Sequence, residues 1–127
     1  MLKQVLIYVV DDDEIITSTV TMILEASGFE VAGFRNPLDA LKAVETRPPD
    51  VLLSDVIMRQ MHGIDLAVKV KTLCPSCKVL LLSGQAQTAD LLDEARLQGH
   101  VFPILAKPIH PTDLIAAIRN LSAGNAP

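Results

Sequence analysis

Three carboxylates, a hydroxyl and an ammonium group stand where apolar runs of this chain end. Val51-Leu52-Leu53-Ser54 runs into Asp55, Val5-Leu6-Ile7-Tyr8-Val9-Val10 into Asp11 and Asp12, Val79-Leu80-Leu81-Leu82 into Ser83, and the stretch 101–106 into Lys107. Singly, each has an ordinary explanation. Asp55 reads equally well as a polar strand end, and in Asp11-Asp12-Asp13-Glu14 acids suit the cap and first turn of a helix, where the macrodipole favours negative charge. That explanation serves Asp13 and Glu14 better than Asp11 and Asp12, which precede the helix start. Together the residues have a shared chemistry. Carboxylates packed side by side raise one another's pKa unless a cation neutralises them. Oxygen donors without His or Cys beside them select a hard ion, Mg2+ or Mn2+ rather than Zn2+, and such an ion is completed by water and phosphate oxygens. Lys107 as a point charge and Ser83 as a hydroxyl donor suit a phosphoryl group. A carboxylate beyond those the metal needs is free to act as nucleophile.

The elements that must bring these residues together follow from the apolar pattern. Of 127 residues, 50% are hydrophobic and only 3% aromatic, so the core is built from Val, Leu, Ile and Ala, as suits a parallel sheet covered on both faces. Residues 4–10 read as a central strand. Ile16, Val20, Ile23 and Leu24 make one helical face that stops at Gly28. Residues 29–34 alternate as an edge strand does; Asn36-Pro37 caps a helix carrying Leu38, Leu41 and Val44, which Pro48-Pro49 closes. A third strand ends on Asp55, and a helix over 64–73 follows. Lys78-Val79-Leu80-Leu81-Leu82-Ser83 is a fourth buried strand, with Gly84 allowing the backbone near a ligand. Thr88 caps a helix running to about Gln98, with Gly99 as its stop. The fifth strand, 101–106, is interrupted by Pro103 and must be outermost. Pro111 opens a last helix with Leu114, Ile118 and Leu121 inward. Alternation of strands and helices predicts a doubly wound α/β sheet whose right-handed crossovers bring every strand's C-terminal end to one edge. Ligands bind on that edge where the winding reverses.

Composition narrows the partners. A net charge of −4 without a basic block argues against nucleic acid as direct ligand. Apolar runs far shorter than the ~20 residues that span a bilayer give no membrane segment, and Met1-Leu2-Lys3 leads straight into a strand; a cytoplasmic protein is expected. Residues 1–122 form one domain and 123–127 a polar tail. Cys74-Pro75-Ser76-Cys77 follows a helix and precedes a strand, the reverse of a thioredoxin-type redox pair, and His62, His100 and His110 are too scattered to complete a zinc site, so a loop is expected there.

Val9-Val10-Asp11-Asp12, the strand ending at Asp55 with Met58, Met61 and Gly63 after it, Leu82-Ser83-Gly84 and Lys107-Pro108 together resemble the receiver domain of two-component response regulators, and in architecture the stand-alone chemotaxis-type regulators. The resemblance covers essentially the whole chain. It implies a flavodoxin-like (βα)5 three-layer sandwich with a parallel sheet of order 2-1-3-4-5. It implies that Asp55 accepts a phosphoryl group from a sensor histidine kinase, a phosphotransfer protein or a small phosphodonor, and signals by conformational change to a downstream protein. Asp12, Asp55 and the backbone carbonyl of Ile57 would hold Mg2+ (or Mn2+), with Asp11 assisting through water. Ser83 and Lys107 would meet the phosphoryl oxygens, the Lys107-Pro108 bond would be cis, and the protein would be a monomer or weak homodimer. The chain departs from the family at Arg59, usually proline, and at His62, usually an acid or amide, which predicts a looser loop beside Asp55. Ile104 stands where the family carries a switch aromatic, with Phe102 out of register, so signalling without an aromatic switch is expected. Ile57 and Gln85 hold the positions that tune phosphoryl loss, and neither directs water well, so a long-lived phosphoaspartate is expected.

Two other readings compete. Asp11-Asp12-Asp13 mimics the motif of a haloacid-dehalogenase-type phosphatase with Asp11 as nucleophile, but that class needs an acidic pair after the lysine, where only Asp113 remains, and it leaves Asp55 unexplained. A receiver-shaped binding module that is never phosphorylated is the second, favoured by Arg59 and Ile104.

Overall fold

A computed structural model of the chain describes residues 4–84 and 88–123. Three strands are sunk among helices because their apolar runs leave no polar face. β1 (Leu6–Val10) is buried along its whole length, as are β3 (Val51–Asp55) up to its last residue and β4 (Lys78–Ser83) between its end residues. Alternation then divides their side chains between two cores. Tyr8, Val10, Leu52 and Leu81 point to one face with Ala40, Val44, Leu66, Val70 and Ala95, while Ile7, Val9, Leu53, Leu80 and Leu82 point to the other with Val20, Leu24, Leu114, Ile118 and Leu121. The second face is therefore covered by α1 (Glu14–Ala26) and α5 (Pro111–Ser122), and the first by α2 (Pro37–Thr46), α3 (Gly63–Leu73) and α4 (Thr88–Leu97). With β2 (Glu30–Phe34) and β5 (Ile104–Ala106) at the edges, the sheet runs β2-β1-β3-β4-β5, every pair parallel. The flavodoxin-like order is as expected. The winding reverses between β1 and β3, whose ends carry Asp11 and Asp55. None of the described helices is long and apolar enough to cross a membrane.

Local signals explain the helix ends. The Asp13 carboxylate accepts from the N–H groups of Ile15 (2.9 Å) and Ile16 (3.4 Å), and Asn36 Oδ1 from Leu38 N–H (2.9 Å). Gly28 and Gly99 follow α1 and α4 at φ +94° and +88°, the left-handed conformation that ends a helix.

Two elements differ from their sequence expectation. Val44 is buried and Leu41 packs against the core as expected, but Leu38 is 51% exposed, and Pro37 and Ala40 are buried in its place. The fifth strand is only three residues long and begins after Pro103. Lacking an N–H, Pro103 joins the ladder only through its carbonyl, which accepts from Leu81 N–H at 3.0 Å. Its outermost position is as expected.

Gly63 has a packing role that the sequence reading passed over. It starts α3 against the last residue of β3: a Cβ on it would run into the Asp55 carbonyl and lie 3.0 Å from Ser54 Oγ, while its own N–H donates to Val56 O at 2.8 Å. The loop after Asp55 is thus closed back onto its own strand. Gly63→Ala is expected to destabilise the fold by about 1–3 kcal/mol or more in urea unfolding, through backbone displacement. Leu38→Ala, on the exposed face of α2, should stay within about 0.5 kcal/mol.

Candidate functional site

The strand ends converge as the alternating pattern requires. Asp11 follows β1, and its N–H continues the pairing to β2 by donating to Phe34 O (3.1 Å). Its side chain is 1% exposed, Oδ1 accepts from Asp13 N–H (2.9 Å), and its carbonyl accepts from Thr17 Oγ1 (2.8 Å), so the β1–α1 turn is tied at three points. Thr17, one turn into α1, was not singled out by sequence; a buried hydroxyl among apolar helix positions was the available signal. Asp55 lies opposite Leu82 in the sheet, and Val56 N–H extends the ladder beyond it by donating to Leu82 O (3.0 Å). Its carboxylate therefore projects from a fixed backbone, 13% exposed.

Lys107 enters from the edge strand. Its N–H donates to Ser83 O (2.9 Å), and its stem crosses Gly84, where a Cβ would come 3.1 Å from Lys107 Cδ. Gly84 thus permits a close approach of this side chain. Nζ stands 3.3 Å from Asp11 Oδ2 and 3.3 Å from Asp55 Oδ2. The Lys107-Pro108 bond is cis, as expected. One oxygen each from Asp11, Asp12 and Asp55 lies within 4.8 Å of the others. Ligands of an octahedral Mg2+ at 2.0–2.1 Å are separated by up to about 4.2 Å, so the donor set suits one hard ion after small adjustment.

Arg59 gives the loop beside Asp55 a contact across the site. Its backbone N–H (3.2 Å) and guanidinium Nε (3.4 Å) both donate to Asp12 Oδ2, tying the loop after β3 to the turn after β1. Ser83 sits half-buried at the end of β4, and Ile57 turns its side chain against the core beneath α3. Gln85 lies outside the described residues. Ile104 is 44% exposed and faces away from the core. Phe102, set aside as out of register, packs against the core on the α3–α4 side and stacks on His100, ring centroids 6.2 Å apart. The cysteines are free: burial pushes the Cys77 thiol up to about 12, and Lys71 Nζ closes their loop by donating to Pro75 O and Cys77 O.

The family model for the response regulator receiver domain matches residues 7–119. The chain is 29% identical to the response regulator receiver protein CpdR of Brucella abortus, covering 91% of this chain and 94% of that protein. It is 28% identical to the chemotaxis protein CheY of Thermotoga maritima, covering 94% and 98%. Identity to the DNA-binding response regulator MtrA of Mycobacterium tuberculosis is 30%, but there the chain spans only 48% of the relative's length. Among solved structures, a CheY-like receiver domain protein from Methanospirillum hungatei superposes with a TM-score of 0.86 at 26% identity over 96% of both chains.

Burial, then the charge of Asp11, raises the Asp55 carboxyl above the ordinary carboxylate range, while the Lys107 ammonium opposes both. Asp11 is raised as well, first by burial, against the Asp13 backbone hydrogen bond and Lys107. A carboxyl so raised binds its proton more tightly in the fold than in the unfolded chain. Its contribution to stability is full below the unfolded pKa and is lost as pH rises through the folded one. At neutral pH both acids weigh against the fold. Without divalent ions, Asp55→Asn should therefore melt at a higher temperature than the wild type at about pH 7, with the gap closing towards pH ~4. Paired thermal melts across this range check it, and parallel curves would refute it.

Proposed function

The chain belongs to the response regulator receiver family, and on that premise we propose that Asp55 is its phosphoacceptor, taking a phosphoryl group from a sensor histidine kinase or phosphotransfer protein in a Mg2+-dependent reaction. The observation that carries this reading is the single ammonium of Lys107 shared at 3.3 Å by Asp55 and Asp11 on the edge where the sheet's winding reverses. An Asp55 carboxylate oxygen attacks phosphorus, and the donor's P–N bond breaks with its electron pair leaving on the imidazole nitrogen. The transferring group carries its charge on three equatorial oxygens, so positioning and neutralisation supply most of the catalysis. Mg2+, held by Asp11, Asp12, Asp55 and the Ile57 carbonyl, would supply part of that neutralisation. Lys107 moves from the carboxylate to a phosphoryl oxygen, and the Ser83 hydroxyl donates to another.

The geometry favours Asp55 over Asp11 as nucleophile. Asp11 is almost fully enclosed and its Oδ1 is engaged by Asp13 N–H, whereas Asp55 keeps an open side. The phosphatase reading is the weaker for that. A conformational signal read by a downstream protein completes the proposal, and the cytoplasm, where kinases draw on ATP, is its setting.

Incubation with Mg2+ and a small acyl-phosphate donor should add one phosphoryl group to the intact mass of the wild type and none to Asp55→Asn. Lys107→Ala should slow the gain roughly 100-fold, the loss typical of removing one charge-stabilising donor. A gain that survives Asp55→Asn and disappears in Asp11→Asn would move the nucleophile to Asp11. Because Ile57 turns an apolar side chain inward and orients no water, the adduct should persist for hours once donor is removed; loss within seconds would refute this.

A further inference from the structure

We infer that Arg59 is a built-in rival of the divalent ion: its guanidinium occupies the Asp12 carboxylate, and so sets how much Mg2+ the site needs. The inference rests on the metal reading above and concerns this chain's own departure from its family.

The three acids divide the positive charge near them without overlap. Lys107 serves Asp11 and Asp55, and Arg59 serves Asp12. The two cations are held very differently. Lys107 is 21% exposed, anchored at its backbone to Ser83 and threaded over Gly84. Arg59 is 82% exposed, rides on a loop, and reaches Asp12 through one Nε contact at 3.4 Å. When a divalent ion claims an Asp12 oxygen, Arg59 is the cation free to withdraw, exchanging a single positive charge for a double one. Both Arg59 donors converge on the same oxygen, Oδ2, so an ion bound there displaces them and an ion bound at the other oxygen meets the guanidinium's charge. Either way the side chain opposes loading.

The backbone N–H of Arg59 separates this effect from folding. It donates to Asp12 at 3.2 Å whatever the side chain, so Arg59→Ala keeps the loop's tie and removes only the guanidinium. An exposed ion pair of this kind shifts an equilibrium by roughly 2- to 5-fold.

The test is calorimetric titration of the metal-stripped full chain with MgCl2 alone, with no phosphodonor present. Arg59→Ala should bind Mg2+ roughly 2- to 5-fold more tightly than the wild type. Arg59→Lys, which keeps the charge, should stay near the wild type, and the wild-type Arg59 Nε–H resonance should move over the same Mg2+ range as binding. Weaker binding by Arg59→Ala would overturn the inference, since a residue that orients Asp12 for the ion produces that loss. Equal affinities, or an Nε–H signal indifferent to Mg2+, would overturn it as well. Absence of Mg2+ binding by every variant would instead remove the metal reading itself, an outcome distinct from equal affinities.

Discussion

One ammonium set between two carboxylates, Lys107 between Asp11 and Asp55, is the contact on which the rest of the site depends. Neither acid could be held in this enclosed corner for its own stability, since burial raises both pKa values, with the charge of Asp11 adding to Asp55 and that of Asp12 to Asp11. What keeps them there is the sheet. The parallel ladder fixes the backbone on either side of Asp55, the β1–α1 turn fixes Asp11, and both strands are buried too deeply to shift. A rigid scaffold thus stores an electrostatic imbalance that Lys107 only partly relieves, and incoming positive charge is attracted to what remains.

Much of this was legible in the sequence because strand burial leaves a plain signature. Runs such as Val51-Leu52-Leu53 have no polar face, so they must be central, and a polar residue at the end of each must lie at the sheet's edge. Asp13, Asn36, Gly28 and Gly99 could be placed because capping depends on neighbours only a few residues away. The strand order was available from resemblance alone, since apolar patterning says that strands are buried without saying which are neighbours.

Contacts between residues distant in sequence were not legible. Arg59 and Asp12 lie 47 positions apart, and a loop cation could equally have faced solvent. Gly63 stood only as a motif position, whereas the carbonyl it must avoid belongs to a strand end eight residues earlier whose position depends on the loop closing back. Leu38 failed for another reason: periodicity does not fix the edge of the buried stripe, and here Pro37 and Ala40 take the place assigned to Leu38 while Leu41 and Val44 keep theirs. The range of the fifth strand was overread because Pro103 interrupts pairing through its missing N–H, while the flanking residues keep strand-like composition.

The same geometry says where a change in charge at Asp55 can be absorbed. The backbone around Asp55 and Asp11 is enclosed by fully buried strands and resists displacement. Lys107, the group whose balance such a change would alter, is attached instead to β5, which is three residues long and exposed at both ends. β5 is held to β4 by the short ladder that pairs Ile104, Leu105 and Ala106 with Leu81, Leu82 and Ser83, extended by Lys107 N–H to Ser83 O and by the Pro103 carbonyl, and Phe102 just before it is half-buried against the α3–α4 side of the core. Moving Lys107 therefore meets the least resistance along the β4–β5 edge, where little apolar area must be uncovered. The deep strands hold Asp11 and Asp55 in place, while Lys107 follows the shallow edge strand.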